Sequence, residues 1–188
     1  MKHFCFLILY ISLSLSLSLN NAFADEALWE QFNSAGMTAY QRGNYSEAIK
    51  HFEDALKEAK KFGDEYPRYA TSLNNLALLY YTLGDYTKAE PLYARSLAIF
   101  EKALGPDHPD VATSLNNLAE LYRTLGDYAK AEPLLKRSLA IWEKKLGPDH
   151  PEVATCLENL ADLYRTTKRI EEAEKLEERA AKIRAMKR

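Results

Sequence analysis

Three asparagines recur at a fixed interval: Asn75, Asn117 and Asn159 stand 42 residues apart. Asn74 and Asn116 precede the first two, and Glu158 precedes the third. A side-chain amide offers a donor and an acceptor together, which suits the backbone of an extended peptide whatever its sequence. The same amides also suit bonds between neighbouring helices that fix how repeats stack. Arg123 and Arg165 recur at the same interval, with Glu120 and Asp162 three residues before them. A guanidinium takes a carboxylate bidentately, so the two arginines suit acidic side chains of a ligand. Pairing with their own Glu120 and Asp162 at i, i+3 is the bland alternative. Tyr81 fills the corresponding position one repeat earlier.

Other reactive residue types point away from catalysis. His108 and His150 recur after Asp107 and Asp149, but a metal would need more ligands converging at short spacing, so no metal site is expected. Asp-His-Pro is expected to build a turn and open the next helix. Cys156 stands where the sister copies have Ser72 and Ser114, the place of a small filler. The chain has no Gly-rich phosphate loop, no His-based zinc motif and no nucleophile-base pairing of the usual kinds. Its titratable groups are spread evenly by repetition. No enzyme activity and no cofactor are expected.

The elements that must position these residues come from a duplication. Residues 70–111 and 112–153 are identical at 34 of 42 positions. A third copy opens with ATCLENLADLYR at Ala154, and a diverged one fills 28–69. A fixed period in this range marks a solenoid of stacked supersecondary units. Leu73, Leu76, Ala77 and Tyr80 form the i, i+3, i+4, i+7 stripe of one amphipathic helix. Gly84-Asp85-Tyr86 breaks it, and a second stripe runs through Ala89, Leu92, Tyr93, Leu97 and Phe100 before the linker GPDHP. Each repeat is thus helix, tight turn, helix, linker. Small residues (Ala77, Ala89 and Ser96; Ala119, Ala131 and Ser138) mark close helix approaches. The densely charged stretch from Glu171 keeps one apolar stripe (Ala173, Leu176, Ala180, Ile183) and reads as a solvating cap.

The pattern resembles the tetratricopeptide repeat, and GPDHPDVATSLNNLAELY is similar to the long repeats of the kinesin light chain type. That resemblance implies an all-α, right-handed α-solenoid of four antiparallel helix pairs, with repeats at about 28–69, 70–111, 112–153 and 154–188. It also implies that the first helix of each pair lines a concave groove. Asn33, Ser34, Met37 and Tyr40 in the first repeat would then share the groove with Asn74, Asn75, Leu78 and Tyr81 in the second. In the family the second asparagine of LNNLA binds peptide backbone, a role the resemblance carries to Asn75, Asn117 and Asn159. The lysines of the carboxylate clamp in chaperone-binding members are absent.

Residues 1–24 form a separate object. Met1-Lys2-His3 is positive, Phe4 to Leu19 is apolar apart from serines, and Ala22-Phe23-Ala24 offers small residues to a signal peptidase. Cleavage after Ala24 is expected, giving a periplasmic or extracellular chain; the competing reading is an uncleaved anchor. Sixteen helical residues reach only about 24 Å, short of a hydrocarbon core of roughly 30 Å. Removing the leader leaves 24 basic against 27 acidic residues. Near-neutrality argues against nucleic acid, which would be met by a basic face. A peptide or protein partner is therefore expected, with self-association through Trp29, Phe32 or the near-identical repeats as the alternative.

Overall fold

The computed structural model describes residues 25–186. The expected signal peptide lies outside them. The described residues form eight helices and no strand: α1 (25–41), α2 (Tyr45–Lys60), α3 (Pro67–Thr82), α4 (Tyr86–Leu104), α5 (Pro109–Thr124), α6 (Tyr128–Leu146), α7 (Pro151–Thr166) and α8 (Ile170–Ala185). No helix among these residues is long and apolar enough to cross a membrane. The chain divides after Ser72 into two compact units.

In the first unit α1 and α2 pack through Ala39, Ala48, Phe52 and Ala55. Gly36 lets Phe52 come so close that a Cβ there would sit 2.6 Å from its ring. Within the first unit Asp25 pairs with Lys61 and Glu26 with Arg68, tying the described start of α1 to the residues after α2. Trp29 is buried and its indole N–H donates to Ser72 Oγ at 2.8 Å, with the Arg68 guanidinium over the ring. It fills core and offers no free apolar face. The interval between the turn glycines Gly43 and Gly84 is 41 residues, one short of the later period.

The second unit is built from nearest-neighbour packing. Helix α5 packs against α4 and α6, and α7 packs against α6 and α8. Ala77, Ala89, Tyr93, Leu118 and Leu121 form one buried cluster. The next repeats Ala119, Ala131 and Leu135 with Leu160, Leu163 and Tyr164. Close approach is set by small residues: buried Ser96 and Ser114 bring their hydroxyls to 3.4 Å, and Ser138 donates to the Ala112 carbonyl at 2.8 Å. Cys156 lies against Ser138, and burial pushes its thiol up from the ordinary value.

Turns and linkers carry their own polar devices. Asp85 and Asp127 cap α4 and α6 by accepting the backbone N–H of Lys88 and Lys130. His108 and His150 cap α5 and α7, each accepting a backbone N–H through Nδ1 at 3.2 Å, and Pro follows as the first helical residue. Arg137 and Arg179 reach back to the carbonyls of Pro106 and Pro148 and hold the linkers down.

The last turn departs from the others. Lys168-Arg169 replaces Gly126-Asp127, and Lys168 adopts φ +63°, the left-handed region where the earlier turns use glycine. Arg169 gives no side-chain cap but lies 3.7 Å over the Tyr164 ring and bonds Glu132 at 2.8 Å. Glu132 also receives Lys136 at 2.7 Å and the Tyr164 hydroxyl at 3.1 Å. Tyr122 and Glu90 repeat the tyrosine-to-glutamate bond one repeat earlier at 2.9 Å.

Two outcomes test this packing. Leu118→Ala, at a site 5 % exposed, should cost about 2–5 kcal/mol in chemical denaturation, with a helical far-ultraviolet spectrum retained. A loss below about 0.5 kcal/mol would mean that the contact is misassigned. Lys136, then Arg169 and Tyr164, hold the Glu132 carboxyl at about 2, below its ordinary 4.5. Its folded pKa is depressed, so its contribution is complete above pH 4.5 and disappears as pH falls towards about 2. Stability measured across that window should fall less steeply for Glu132→Gln than for the parent chain; equal slopes would refute the assignment.

Candidate peptide-binding groove

Within the second unit, the first helix of each pair presents one face of polar residues at matching positions. On α3 these are Asn74, Asn75, Leu78 and Tyr81; on α5 they are Asn116, Asn117, Glu120 and Arg123. On α7 they are Glu158, Asn159, Asp162 and Arg165. They fall between the apolar stripes because Leu73, Leu76 and Ala77, and their counterparts, are drawn into the core. Every one of the asparagines is half-buried.

The asparagines form a ladder. Asn117 donates from Nδ2 to Asn74 Oδ1 at 3.1 Å, and Asn159 donates to Asn116 Oδ1 at 2.8 Å. The second asparagine of one repeat thus bonds the first asparagine of the repeat before it. Each rung uses one of the donor's two amide hydrogens. The column thus links neighbouring first helices.

The charged residues are arranged pairwise. Arg123 grips Glu120 with two bonds, Nε at 2.8 Å and Nη2 at 2.6 Å. Tyr81 brings its hydroxyl from the preceding helix to Glu120 at 3.2 Å and Thr124 at 2.9 Å. Burial is the main cause that pushes the Tyr81 phenol above its ordinary range. Arg165 behaves differently. It does not pair with Asp162 but turns to Glu177 on α8, with bonds of 2.5 and 2.6 Å. This salt bridge holds the Glu177 carboxyl below its usual range. Glu158 is taken by Arg184 of α8, at 3.1 and 2.8 Å.

Glu177 and Arg184 bond the polar face of α7, and the repeat pattern did not single them out. Their signal was in the register: Glu177 occupies the position of buried Tyr93 and Leu135, and Arg184 that of Phe100 and Trp142. A charge at a repeat position that is otherwise apolar sets α8 apart from α4 and α6. In the first unit, α1 and α2 show the same kind of change. Thr38, Arg42 and His51 stand where later repeats carry leucine, and they line a concavity of about 400 Å³ with Gln31, Ser34 and Glu47. No group of histidine, cysteine and carboxylate side chains among the described residues has metal-binding geometry.

The tetratricopeptide repeat profile matches residues 27–102, 70–144 and 110–185. The chain belongs to the tetratricopeptide repeat family. It is similar to the crystal structure of BtubC (BKLC) from P. vanneervenii at 28% identity and a TM-score of 0.78, covering 86% of this chain and 65% of that one. The repeat protein therefore spans just under two thirds of that structure's length. It is also similar to a kinesin light chain of Podosopora anserina with nearly identical TPR-like repeats. There the identity is 27% and the TM-score 0.68, over 85% of this chain and 76% of that one. The kinesin light chain-like character read from GPDHP and LNNLA is thus borne out. RapI in its apo form, at 20% identity and a TM-score of 0.76, covers 86% of this chain and 57% of its own and shares the fold. Comparison with curated proteins gave no match.

The ladder makes a quantitative prediction. Asn74→Ala and Asn117→Ala should each lower stability by about 0.5–1.5 kcal/mol, the net worth of one hydrogen bond. The double variant should lose little more than either alone, because both remove the same rung. Additive losses in denaturant melts would show that the rung contributes nothing.

Proposed function

We propose that this repeat protein is a non-catalytic interaction scaffold, exported from the cytoplasm, that holds an extended peptide or partner protein along its asparagine-lined face. Tetratricopeptide repeat proteins bind proteins or peptides, and this chain carries their arrangement over most of its length. The observation that carries the reading is the register of Asn74-Asn75, Asn116-Asn117 and Asn159 on successive first helices. Amides spaced by a fixed helix interval match a ligand that itself repeats, which an extended backbone does. A spread of paired charges along the same face supports recognition over several residues and offers no concentrated reaction centre. The leader of residues 1–24, with its positive start and Ala22-Phe23-Ala24 end, supports export.

Self-association is the weaker reading. Trp29 is committed to Ser72, and the outward side of α8 carries Glu177 and Arg184 in place of apolar residues. Light scattering on the chain lacking 1–24 should give a concentration-independent monomer; a dimer mass at micromolar concentration would favour self-association. The groove is tested with Asn117→Ala against a partner recovered from the envelope fraction of the source cells. Affinity should fall by about 1–3 kcal/mol, since partner groups lose their hydrogen bonds. Unchanged affinity would remove the asparagines from the binding surface.

A further inference from the structure

Charges on the groove side of the second unit can be assigned to partners one by one, and the assignment leaves a remainder. Glu120 is held by both arms of Arg123 and by Tyr81. Glu158 is held by Arg184. Arg165 is held by both oxygens of Glu177. Asp162 aligns with Glu120, three residues before an arginine, and would take Arg165 if the repeat ran true. It has no such partner here because α8 supplies Glu177 and draws the guanidinium away. The preceding helix cannot replace it: where Tyr81 reaches Glu120, the residue facing Asp162 is Arg123, already gripped by Glu120. Asp162 is also one methylene shorter than Glu120. Its carboxylate is exposed and lies in the field of Arg123 and Arg165, but neither guanidinium grips it with a hydrogen bond.

The sequence alone directs attention to the two arginines and hence to an acidic ligand. The pairing inverts that polarity. An incoming carboxylate must displace Glu120 or Glu177 from a bidentate bond, whereas an incoming ammonium or guanidinium meets Asp162 without breaking a hydrogen bond and competes only with the longer-range attraction of Arg123 and Arg165. We propose that the face formed by α5 and α7 selects an extended peptide carrying a basic side chain, which seats on Asp162. This rests on the groove reading above and adds the chemical class of the ligand. Exposed pairs contribute little to affinity, so Asp162 acts as a selector among peptides that the amides hold alike.

The test uses the chain without residues 1–24 and three pools of fluorescein-labelled synthetic peptides. The pools are random except for one fixed central Lys, Gln or Glu, and binding is read by fluorescence anisotropy at low salt. The Lys pool should bind about two- to fivefold more tightly than the Gln pool, the range of an exposed ion pair, and the Glu pool more weakly still. Asp162→Asn should bring the Lys pool to the level of the Gln pool. Glu177→Gln provides a second arm that leaves Asp162 in place: it releases Arg165 to pair with Asp162, and the Lys preference should shrink. Circular dichroism confirms that both variants fold. Equal binding of the three pools overturns the inference and leaves the groove reading standing. Tighter binding of the Glu pool overturns it in favour of the arginines. No binding by any pool overturns both.

Discussion

Nearest-neighbour burial is the constraint on which the second unit depends. A single helix pair has an apolar stripe on each helix and cannot cover both by itself. Leu118 and Leu121 are buried only because Ala77, Ala89 and Tyr93 of the preceding pair meet them, and Leu160 and Leu163 meet Leu135 in the same way. The serines at 96, 114 and 138 let the backbones approach closely enough for that contact. Every polar feature of the groove inherits its spacing from this packing. The asparagines come into register only when consecutive first helices lie side by side.

Helix α8 differs from its counterparts α4 and α6, and the difference shapes the polar face of α7. Helix α8 keeps Ala173, Ala180 and Ile183 against the core but exchanges the apolar positions of α4 and α6 for Glu177 and Arg184. Both then reach back to α7, one taking Arg165 and the other Glu158. The charges of α8 and the electrostatics of the α7 face are therefore one arrangement. Near-identical repeats end up with different charge pairings because only one of them adjoins α8.

The turn between α7 and α8 shows the same coupling. Losing Gly and Asp there places Lys168 in the left-handed region and leaves α8 without a side-chain cap, costs of order 1 kcal/mol each. Arg169 offsets them by binding Glu132 and Glu172 and covering Tyr164. In the earlier turns Lys88 and Lys130 lie over Tyr80 and Tyr122 instead. The cation over the tyrosine is kept while its position in the chain changes.

The sequence by itself determined the all-α repeat fold, the helix pairs from α3 to α8 and the face each helix buries. Periodicity carries that information, since a stripe of Leu and Ala at helical spacing has one way to be hidden and GPDHP cannot continue a helix. It also placed the asparagine column and the arginines at matching positions. Which partner each of those side chains takes was decided only in three dimensions. Arg123 and Arg165 share a local sequence of Leu-Tyr-Arg-Thr, yet one pairs within its helix and the other across to α8. Asn117 and Asn159 choose Asn74 and Asn116 across helices. Repetition fixes where a side chain stands along the stack; its hydrogen bonds depend on the nearest charged or amide group in space, and that group lies as far as 43 residues away.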